Sequence, residues 1–116
     1  MKIRAVCTDI DGTLLDSQRA LSARTIAVIN KISKEVPVIL ASSRMPGAMR
    51  HLQHELGIED HPMICFNGGY VVSYEGTSEI PVVLDSVKMP TSIGQAIVDL
   101  SKGTNIHVSL FVEDKW

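Results

Sequence analysis

A pair of aspartates follows a short apolar run near the amino terminus, and this arrangement constrains the fold of the chain more than any other feature. The apolar run covers residues 3–6, and Asp9, Asp11, Gly12 and Thr13 come shortly after it. In an extended chain, residues two apart project to the same side. Both carboxylates can therefore reach the crevice beyond the carboxyl end of a strand, where open α/β sheets bind ligands. Two carboxylates this close resist joint ionisation unless a cation lies between them or one keeps its proton. The pair thus indicates a divalent metal site, a proton-transfer pair, or both.

Apolar runs alternate with amphipathic patterns through the first half of the chain, and this alternation favours a parallel sheet. The patterns predict strands over residues 2–8, 36–41 and 63–66, and helices over residues 22–35 and 46–56. Ser22 suits the N-cap of the first helix, and Gly57 suits the end of the second. Because such crossovers are right-handed and join neighbouring strands, we expect the strand ends at Asp9, Ser42 and Asn67 along one edge of the sheet.

The pattern changes after the third predicted strand. Residues 70–74 and 79–84 predict a β-hairpin, and a further helix is predicted to begin at Pro90. Residues 106–112 alternate in the manner of a strand that is half-exposed to solvent. The change near residues 85–90 marks a candidate domain boundary.

The run Asp9-Ile10-Asp11-Gly12-Thr13 resembles the D-x-D-G-T motif of the haloacid dehalogenase superfamily of phosphohydrolases, and the following Leu14-Leu15-Asp16 resembles its Cof-type branch. The resemblance implies an α/β fold, with a Rossmann-like parallel sheet core, a β-hairpin and the start of an inserted α+β cap domain. On this interpretation, residues 1–85 are the amino-terminal part of the core, and residues 86–116 begin a truncated cap. The implied activity is Mg²⁺-dependent hydrolysis of sugar phosphates or phosphorylated cofactors.

The resemblance also implies a role for each aspartate. Asp9 would be the nucleophile that forms an aspartyl-phosphate, and Asp11 would be the general acid and base. Asp9, through its carboxylate, and Asp11, through its main-chain carbonyl, would be ligands of Mg²⁺, a hard cation that prefers oxygen donors. The alternative is that both are turn carboxylates that accept local backbone hydrogen bonds.

Residues 41–44 are similar to the A-T-G-R pattern of the Cof-type branch, with Ser43 in place of the glycine. The resemblance implies that Ser42 binds phosphate through its hydroxyl, with Ser43, Arg44 and Gly12 contributing to the phosphate or substrate site. Ser42 could instead be the N-cap of the next helix, and Arg44 could belong to a surface ion pair. Both alternatives stay open at this point.

Asn67-Gly68-Gly69 resembles the N-G segment that follows the third strand in this family. The resemblance places Asn67 and Gly68 near the substrate side of the core. The same dipeptide is also the usual signal for a type I′ turn, so the sequence favours neither interpretation.

Two further motifs of the family are not recognised in this sequence. These are a lysine that steadies the nucleophile, and a G-D-x-x-N-D segment that completes the Mg²⁺ site. We therefore interpret the chain as an amino-terminal fragment whose sheet has an open edge, which could support a homo-oligomer. A non-catalytic, self-associating fragment or paralogue is the main alternative. A signalling receiver domain is less favoured, because receivers carry their phosphorylated aspartate after the third strand, where this chain has Asn67.

Net charge and the length of the apolar runs limit the kinds of partner expected for this chain. The net charge of −2 gives no sign of a nucleic-acid-binding surface, and no apolar run approaches the ~18 residues of a membrane span. We expect a cytoplasmic protein whose partner is a small phosphorylated metabolite, with neither nucleic acid nor membrane involved. Cys7 and Cys65 lie in apolar runs and are expected to be buried, reduced thiols.

Overall fold

The computed structural model describes residues 2–115 as a five-stranded sheet with three helices. The strands are β1 (Val6–Asp9), β2 (Val38–Ala41), β3 (Met63–Cys65), β4 (Tyr70–Ser73) and β5 (Val82–Ser86), and the helices are α1 (Ala23–Ile32), α2 (Gly47–Leu56) and α3 (Thr91–Ser101). The spatial order of the strands follows their order in the chain. Strands β1 to β3 are parallel, and β4 and β5 continue the sheet as an antiparallel hairpin. The predicted α/β class, with a parallel core and a hairpin, is confirmed.

Strand register aligns the carboxyl ends of the three parallel strands. Asp9 is paired with Ala41, and Ala41 is paired with Ile64. The residues that follow these three positions therefore leave the sheet at one edge, as the sequence predicts. This edge is where the candidate functional residues lie.

Helix ends match the local signals in the sequence. The Ser22 hydroxyl accepts a hydrogen bond from Thr25 N and caps α1. Gly57 ends α2 in the left-handed conformation, with φ of 69°. Helix α1 ends at Ile32 rather than at residue 35, because Glu35 N and Val36 N turn back to bond the carbonyl of Ile32.

Strand ends differ from the predicted ones because a strand needs a hydrogen-bonded neighbour. The last backbone hydrogen bond between β1 and the chain at the start of β2 runs from Val6 N to the Pro37 carbonyl at 2.9 Å, and residues 2–5 lie beyond it. Strand β2 begins at Val38 rather than at residue 36, just after a proline that has no N–H to donate. Strand β3 ends at Cys65 rather than at Phe66, whose φ of 50° is incompatible with a strand.

The hydrophobic core lies between α1, α2 and one face of the sheet. Its fully buried members include strand and helix side chains, such as Val38, Leu40, Met63, Val72, Met49 and Leu56. The opposite sheet face carries Cys7, which is exposed, and Ile39, which is half-buried. The expectation that both cysteines are buried is therefore wrong for Cys7, which lies on an edge strand, and confirmed for Cys65. Both thiols are free.

The carboxy-terminal part differs most from the prediction. Residues 106–112 form no strand within the described chain, and their one ladder contact is an isolated bridge between Val112 and Lys115. The alternating pattern is present, but no sheet edge pairs with it. The hairpin strand β5 runs through Ser86, and the domain boundary near residues 85–90 stays a prediction. Over residues 2–115, no helix combines the length and apolarity needed to cross a bilayer.

Candidate functional site

Asp9 ends β1 with its side chain exposed at the sheet edge. Its Oδ2 accepts a hydrogen bond from the Thr13 hydroxyl at 2.9 Å. The buried Ile10 anchors the loop that follows, because its carbonyl accepts hydrogen bonds from the Leu14 and Leu15 amides. The chain therefore turns back directly after the strand, with φ of 79° at Gly12, and Asp9 is presented at the mouth of this turn.

Asp11 is bound by an arginine from the next loop. Arg44 donates from Nε to Asp11 Oδ2 at 2.9 Å and from Nη2 to Oδ1 at 2.6 Å. Arg19 Nη2 lies 3.8 Å from the same Oδ1. The two hydrogen bonds from Arg44, together with the positive charges of Arg44 and Arg19, lower the pKa of the Asp11 carboxyl below its usual value. Asp11 is therefore ionised and oriented toward the β2–α2 loop.

The structure shows the ion pair that the sequence left open for Arg44, and the role of Arg44 in binding phosphate stays a prediction. The side chain does form a salt bridge, but with the second candidate acid, and only 20% of it is exposed. Its Nη1 also donates to the Ala48 carbonyl at 3.3 Å. Arg44 therefore places a cation at the candidate site.

Ser42 follows β2 and is 7% exposed. Its hydroxyl accepts a hydrogen bond from Arg44 N at 3.2 Å, and its own N–H donates to the Ile64 carbonyl at 2.9 Å. The N-cap of α2 is Pro46, so Ser42 is not the cap of that helix. The neighbouring Ser43 is exposed.

Asn67 and Gly68 lie in a tight turn, assigned to a single 3₁₀ turn over Phe66–Gly68, that joins β3 to β4. The values of φ are 50° at Phe66, 55° at Asn67 and 96° at Gly68, a conformation that favours glycine and asparagine. Phe66 N donates to the Arg44 carbonyl and Asn67 N to the Ser42 carbonyl, at 3.1 and 3.0 Å. The Asn-Gly pair is thus a turn, and it packs directly against the β2–α2 loop.

The oxygen donors of this edge fit part of a Mg²⁺ site. Within residues 2–115, no three acidic, histidine or cysteine side chains converge on one point. The Asp9 carboxylate and the Asp11 main-chain carbonyl are hard oxygen donors, and Mg²⁺ commonly uses one or two protein carboxylates together with water and substrate phosphate. The carboxylate of Asp11 is bound to Arg44, so its main-chain oxygen is the better candidate ligand.

Two polar contacts of the site were not assigned from the sequence. Thr13 donates to the candidate nucleophile, and its position four residues after Asp9 is the signal that could have indicated this contact. Arg19 approaches Asp11 through a loop residue with φ of 59°, and no local pattern predicts it.

A sequence profile described as haloacid dehalogenase-like hydrolase matches residues 6–116. Phosphoglycolate phosphatase of Archaeoglobus fulgidus is 39% identical over 87 residues, which cover 75% of this chain and 37% of that protein. Pyridoxal phosphate phosphatase YbhA of Escherichia coli is 26% identical over 115 residues, which cover 98% of this chain and 40% of that protein. The chain therefore spans less than half the length of these two curated relatives.

The fold is also similar to that of solved structures. The crystal structure of TM0651 from Thermotoga maritima matches with a TM-score of 0.73 at 27% identity, and the match covers 91% of this chain and 38% of that one. The sheet that carries Asp9, Ser42 and Asn67 is thus shared with a longer solved protein.

Proposed function

The chain belongs to the haloacid dehalogenase-like hydrolase family, as its D-x-D-G-T motif predicts, and from this premise we propose that it is a phosphatase of small phosphate monoesters. The observation that carries the proposal is the sheet edge where the exposed carboxylate of Asp9 meets the loops of Ser42 and Arg44. A nucleophile, a hydroxyl and a cation at one edge suit phosphoryl transfer, which depends on positioning and on neutralising phosphoryl oxygens.

Asp9 is the nucleophile in this proposal. One of its carboxylate oxygens attacks phosphorus while the bond from phosphorus to the ester oxygen breaks, which forms an aspartyl-phosphate. The departing oxygen takes a proton from Asp11. Asp11 then removes a proton from a water molecule that attacks the same phosphorus, which releases phosphate and restores Asp9. A Mg²⁺ held by the Asp9 carboxylate and the Asp11 carbonyl would supply positive charge beside the phosphoryl oxygens.

The phosphate would be bound by the β2–α2 loop. In this proposal the Ser42 hydroxyl, the Ser43 amide and hydroxyl and the Gly12 amide donate to its oxygens. Arg44 turns from Asp11 toward the phosphate, because a dianionic ester attracts the guanidinium more strongly than one carboxylate does. The ionised Asp11 of the described structure suits the step that deprotonates water. When Arg44 turns away, Asp11 loses the hydrogen bonds that lower its pKa, which suits the step in which Asp11 carries and donates a proton.

The substrate class is proposed from the chemistry of the site and from two relatives. Both curated relatives are named as phosphatases of small phosphorylated molecules, phosphoglycolate and pyridoxal phosphate. We propose sugar phosphates or phosphorylated cofactors as substrates, with Asn67 and Gly68 on the side of the leaving group. A cytoplasmic location is part of the same proposal. A receiver domain is not favoured, because Phe66 and Asn67 follow β3 where a receiver has its aspartate.

Hydrolysis of 4-nitrophenyl phosphate by the 116-residue chain tests the proposal. We expect turnover that needs Mg²⁺, is lost in EDTA, and falls by about a hundredfold or more in Asp9→Asn. Asp60→Asn is the matched control, because Asp60 is an exposed carboxylate in the loop before β3, with a single 3.9 Å contact to His61. Full turnover by Asp9→Asn, or turnover by the wild type that is unchanged in EDTA, would contradict the proposal.

We also propose self-association through the free edge of β1. This strand pairs only with β2 in the described sheet, so one row of its backbone groups is open to another strand. Exposed Cys7 and half-buried Val6 offer little charge to discourage such pairing.

A further inference from the structure

Arg19 lies at the rim of the candidate site, in the loop that joins β1 to α1. Its Nη2 is 3.8 Å from Asp11 Oδ1, which is too long for a hydrogen bond. Within residues 2–115 this contact is the only ion pair of Arg19, and 79% of its side chain is exposed. The N–H groups of a guanidinium fit the two oxygens of a carboxylate in pairs. Arg19 therefore brings to the site a cation whose donors are open to a ligand.

The loop holds the backbone of Arg19 in a defined position. Asp16 Oδ1 accepts hydrogen bonds from Gln18 N at 2.8 Å and from Ala20 N at 3.0 Å. Arg19 N donates to the Asp16 carbonyl at 2.9 Å. Buried leucines lie directly before Asp16 and directly after Ala20. The φ of 59° at Arg19 is uncommon for a residue other than glycine or asparagine, so these contacts fix where the arginine leaves the chain.

Asp11 depends little on Arg19. The hydrogen bonds from Arg44 are the largest influence on the lowered pKa of the Asp11 carboxyl, and the charge of Arg19 is the smallest. In the proposed mechanism Asp11 carries a proton when it acts as an acid, so at that stage it has no charge to attract Arg19. Arg44 is then bound to the phosphate. The guanidinium of Arg19 is thus available to a second anionic group of the substrate.

We propose that Arg19 selects phosphate esters whose organic part carries a carboxylate close to the ester oxygen. This inference rests on the proposed function, because it concerns the leaving group of the same reaction. To take a proton from Asp11, the ester oxygen must come within about 3 Å of the Asp11 carboxyl. Since Arg19 lies beside that carboxyl, a carboxylate one or two carbons from the ester oxygen can reach the guanidinium. An ester with an uncharged organic part gains nothing from this contact.

Two phosphonates test this preference without requiring turnover. They are 3-phosphonopropionate and propylphosphonate, which differ only in that a carboxylate replaces the terminal methyl group. NMR titration of the ¹⁵N-labelled chain in Mg²⁺ gives the affinity for each. We expect the wild type to bind 3-phosphonopropionate about threefold to tenfold more tightly. We also expect this ligand to shift the Arg19 Nε–H resonance, and propylphosphonate to leave that resonance in place.

Arg19→Gln removes the charge and the paired donors, and it should bring the ratio of the two affinities close to one. The ratio is the measure that matters, because a general change in the site alters both affinities together. Arg24→Gln is the matched control, since it removes an exposed arginine that lies in α1 instead of the loop. This control should keep the wild-type ratio.

The outcomes separate this inference from the proposed function. Equal affinities in the wild type, a preference that survives in Arg19→Gln, or an equal loss of preference in Arg24→Gln would overturn the role of Arg19. Shifts at residues 42–44 with both phosphonates and no preference between them would overturn that role and leave the proposed function intact. Shifts at residues 42–44 with neither phosphonate would contradict the proposed phosphate site, and the inference would fall with it.

Discussion

Arg44 binds Asp11 through two hydrogen bonds, from Nε to Oδ2 at 2.9 Å and from Nη2 to Oδ1 at 2.6 Å, although 33 residues separate them in the sequence. The pair joins the loop after β1 to the loop after β2. It therefore sets the relative positions of the candidate acid and the candidate phosphate-binding residues. It also holds the Asp11 carboxyl in its ionised form, since the hydrogen bonds from Arg44 lower its pKa.

Replacing Arg44 by lysine should release Asp11. Lysine carries the charge but cannot donate two parallel hydrogen bonds to one carboxylate. In metal-free protein, we expect the ¹³C titration midpoint of Asp11 to lie below its ordinary value in the wild type and to move upward in Arg44→Lys. The sign follows from the lowered pKa: the stabilising contribution of the pair is present near neutral pH and is lost as the pH falls through that pKa.

The control for this prediction is Arg24→Lys, an equivalent change on the exposed side of α1. It should leave the Asp11 midpoint where it is. In Arg44→Lys we also expect the affinity for a phosphate mimic to fall by about tenfold, because the guanidinium suits phosphate oxygens in pairs. An Asp11 midpoint that does not move in Arg44→Lys would contradict the assigned contact.

Two left-handed glycines should lose similar stability on replacement by alanine. Gly57 and Gly76 have φ of 69° and 56°; a β-carbon at Gly57 would lie 2.8 Å from Asn30 Nδ2, the end of an exposed side chain that can turn away, and the space at Gly76 is open. Both substitutions cost about 1 kcal/mol of backbone strain. We expect the free energies of unfolding in urea of Gly57→Ala and Gly76→Ala to fall by about 1 kcal/mol each. A loss in Gly57→Ala that is larger by about 2 kcal/mol or more would contradict this prediction.

The two thiols should differ in reactivity. Cys7 is exposed, whereas Cys65 is fully buried with its Sγ 3.7 Å from Met49 Sδ. Labelling with a disulfide reagent should modify Cys7 at once and Cys65 about a thousandfold more slowly or slower still, because Cys65 becomes accessible only when the core opens. The Cys7→Ala variant isolates the slow phase. A single fast phase with both thiols modified would contradict the packing of β3.

Burial of the same thiol predicts a loss of stability at high pH. Burial, with a smaller contribution from the charge of Asp114, raises the pKa of Cys65 to about 12. An unfolded cysteine ionises near pH 8.5, so above that pH the unfolded state releases a proton that the folded state keeps. The free energy of unfolding should then fall as the pH rises, by up to about 1.4 kcal/mol per unit.

Urea unfolding between pH 8 and pH 9 measures this slope, in a range below pH 10, near which an unfolded tyrosine ionises and the pKa of about 12 to which burial raises Tyr74 begins to contribute to the slope. Cys65→Ala should be less stable overall and should show a shallower slope than the wild type. Cys7→Ala should keep the wild-type slope. Identical slopes in all three proteins would argue against the buried thiol as the cause.

Local signals predicted the parts of the fold that depend on local chemistry. Ser22 and Gly57 mark helix ends because both signals act within one turn of chain. The Ser22 hydroxyl accepts a hydrogen bond from a backbone amide, and Gly57 adopts a positive φ. Residues 106–112 were predicted as a strand and form none, because alternation describes two faces of a strand but does not supply a neighbour. Cys7 was expected to be buried for a similar reason, since burial on an edge strand depends on what lies beside it.

The sequence predicted which residues gather at the site, but not the long-range contacts that they make. The order of strands and helices brings Asp9, Ser42 and Asn67 to one edge, and the register confirms that edge. The hydrogen bonds from Arg44 to Asp11 were not predicted, because the sequence allowed a surface ion pair for Arg44 but did not indicate its partner. The bond from Asp114 to α2 spans 67 residues, and no spacing rule covers such a contact.

Light scattering tests the proposed association through β1. We expect the wild type to show a concentration-dependent dimer, because the open edge can pair with another strand. Cys7→Lys places a charge on that edge and should yield a monomer. Ile3→Lys is the matched control, because Ile3 is 61% exposed but lies outside the strand. A wild type that stays monomeric at all concentrations would contradict the proposal.

Acceptance of a phosphoryl group by Asp9 is tested most directly by ¹⁹F NMR with beryllium fluoride and Mg²⁺, which does not require turnover. Beryllium trifluoride bound to a carboxylate is a mimic of the aspartyl-phosphate. We expect new bound resonances in the wild type and in Asp60→Asn, and none in Asp9→Asn. Bound resonances that persist in Asp9→Asn, or a folded wild type that shows none, would contradict the assignment of Asp9 as the nucleophile.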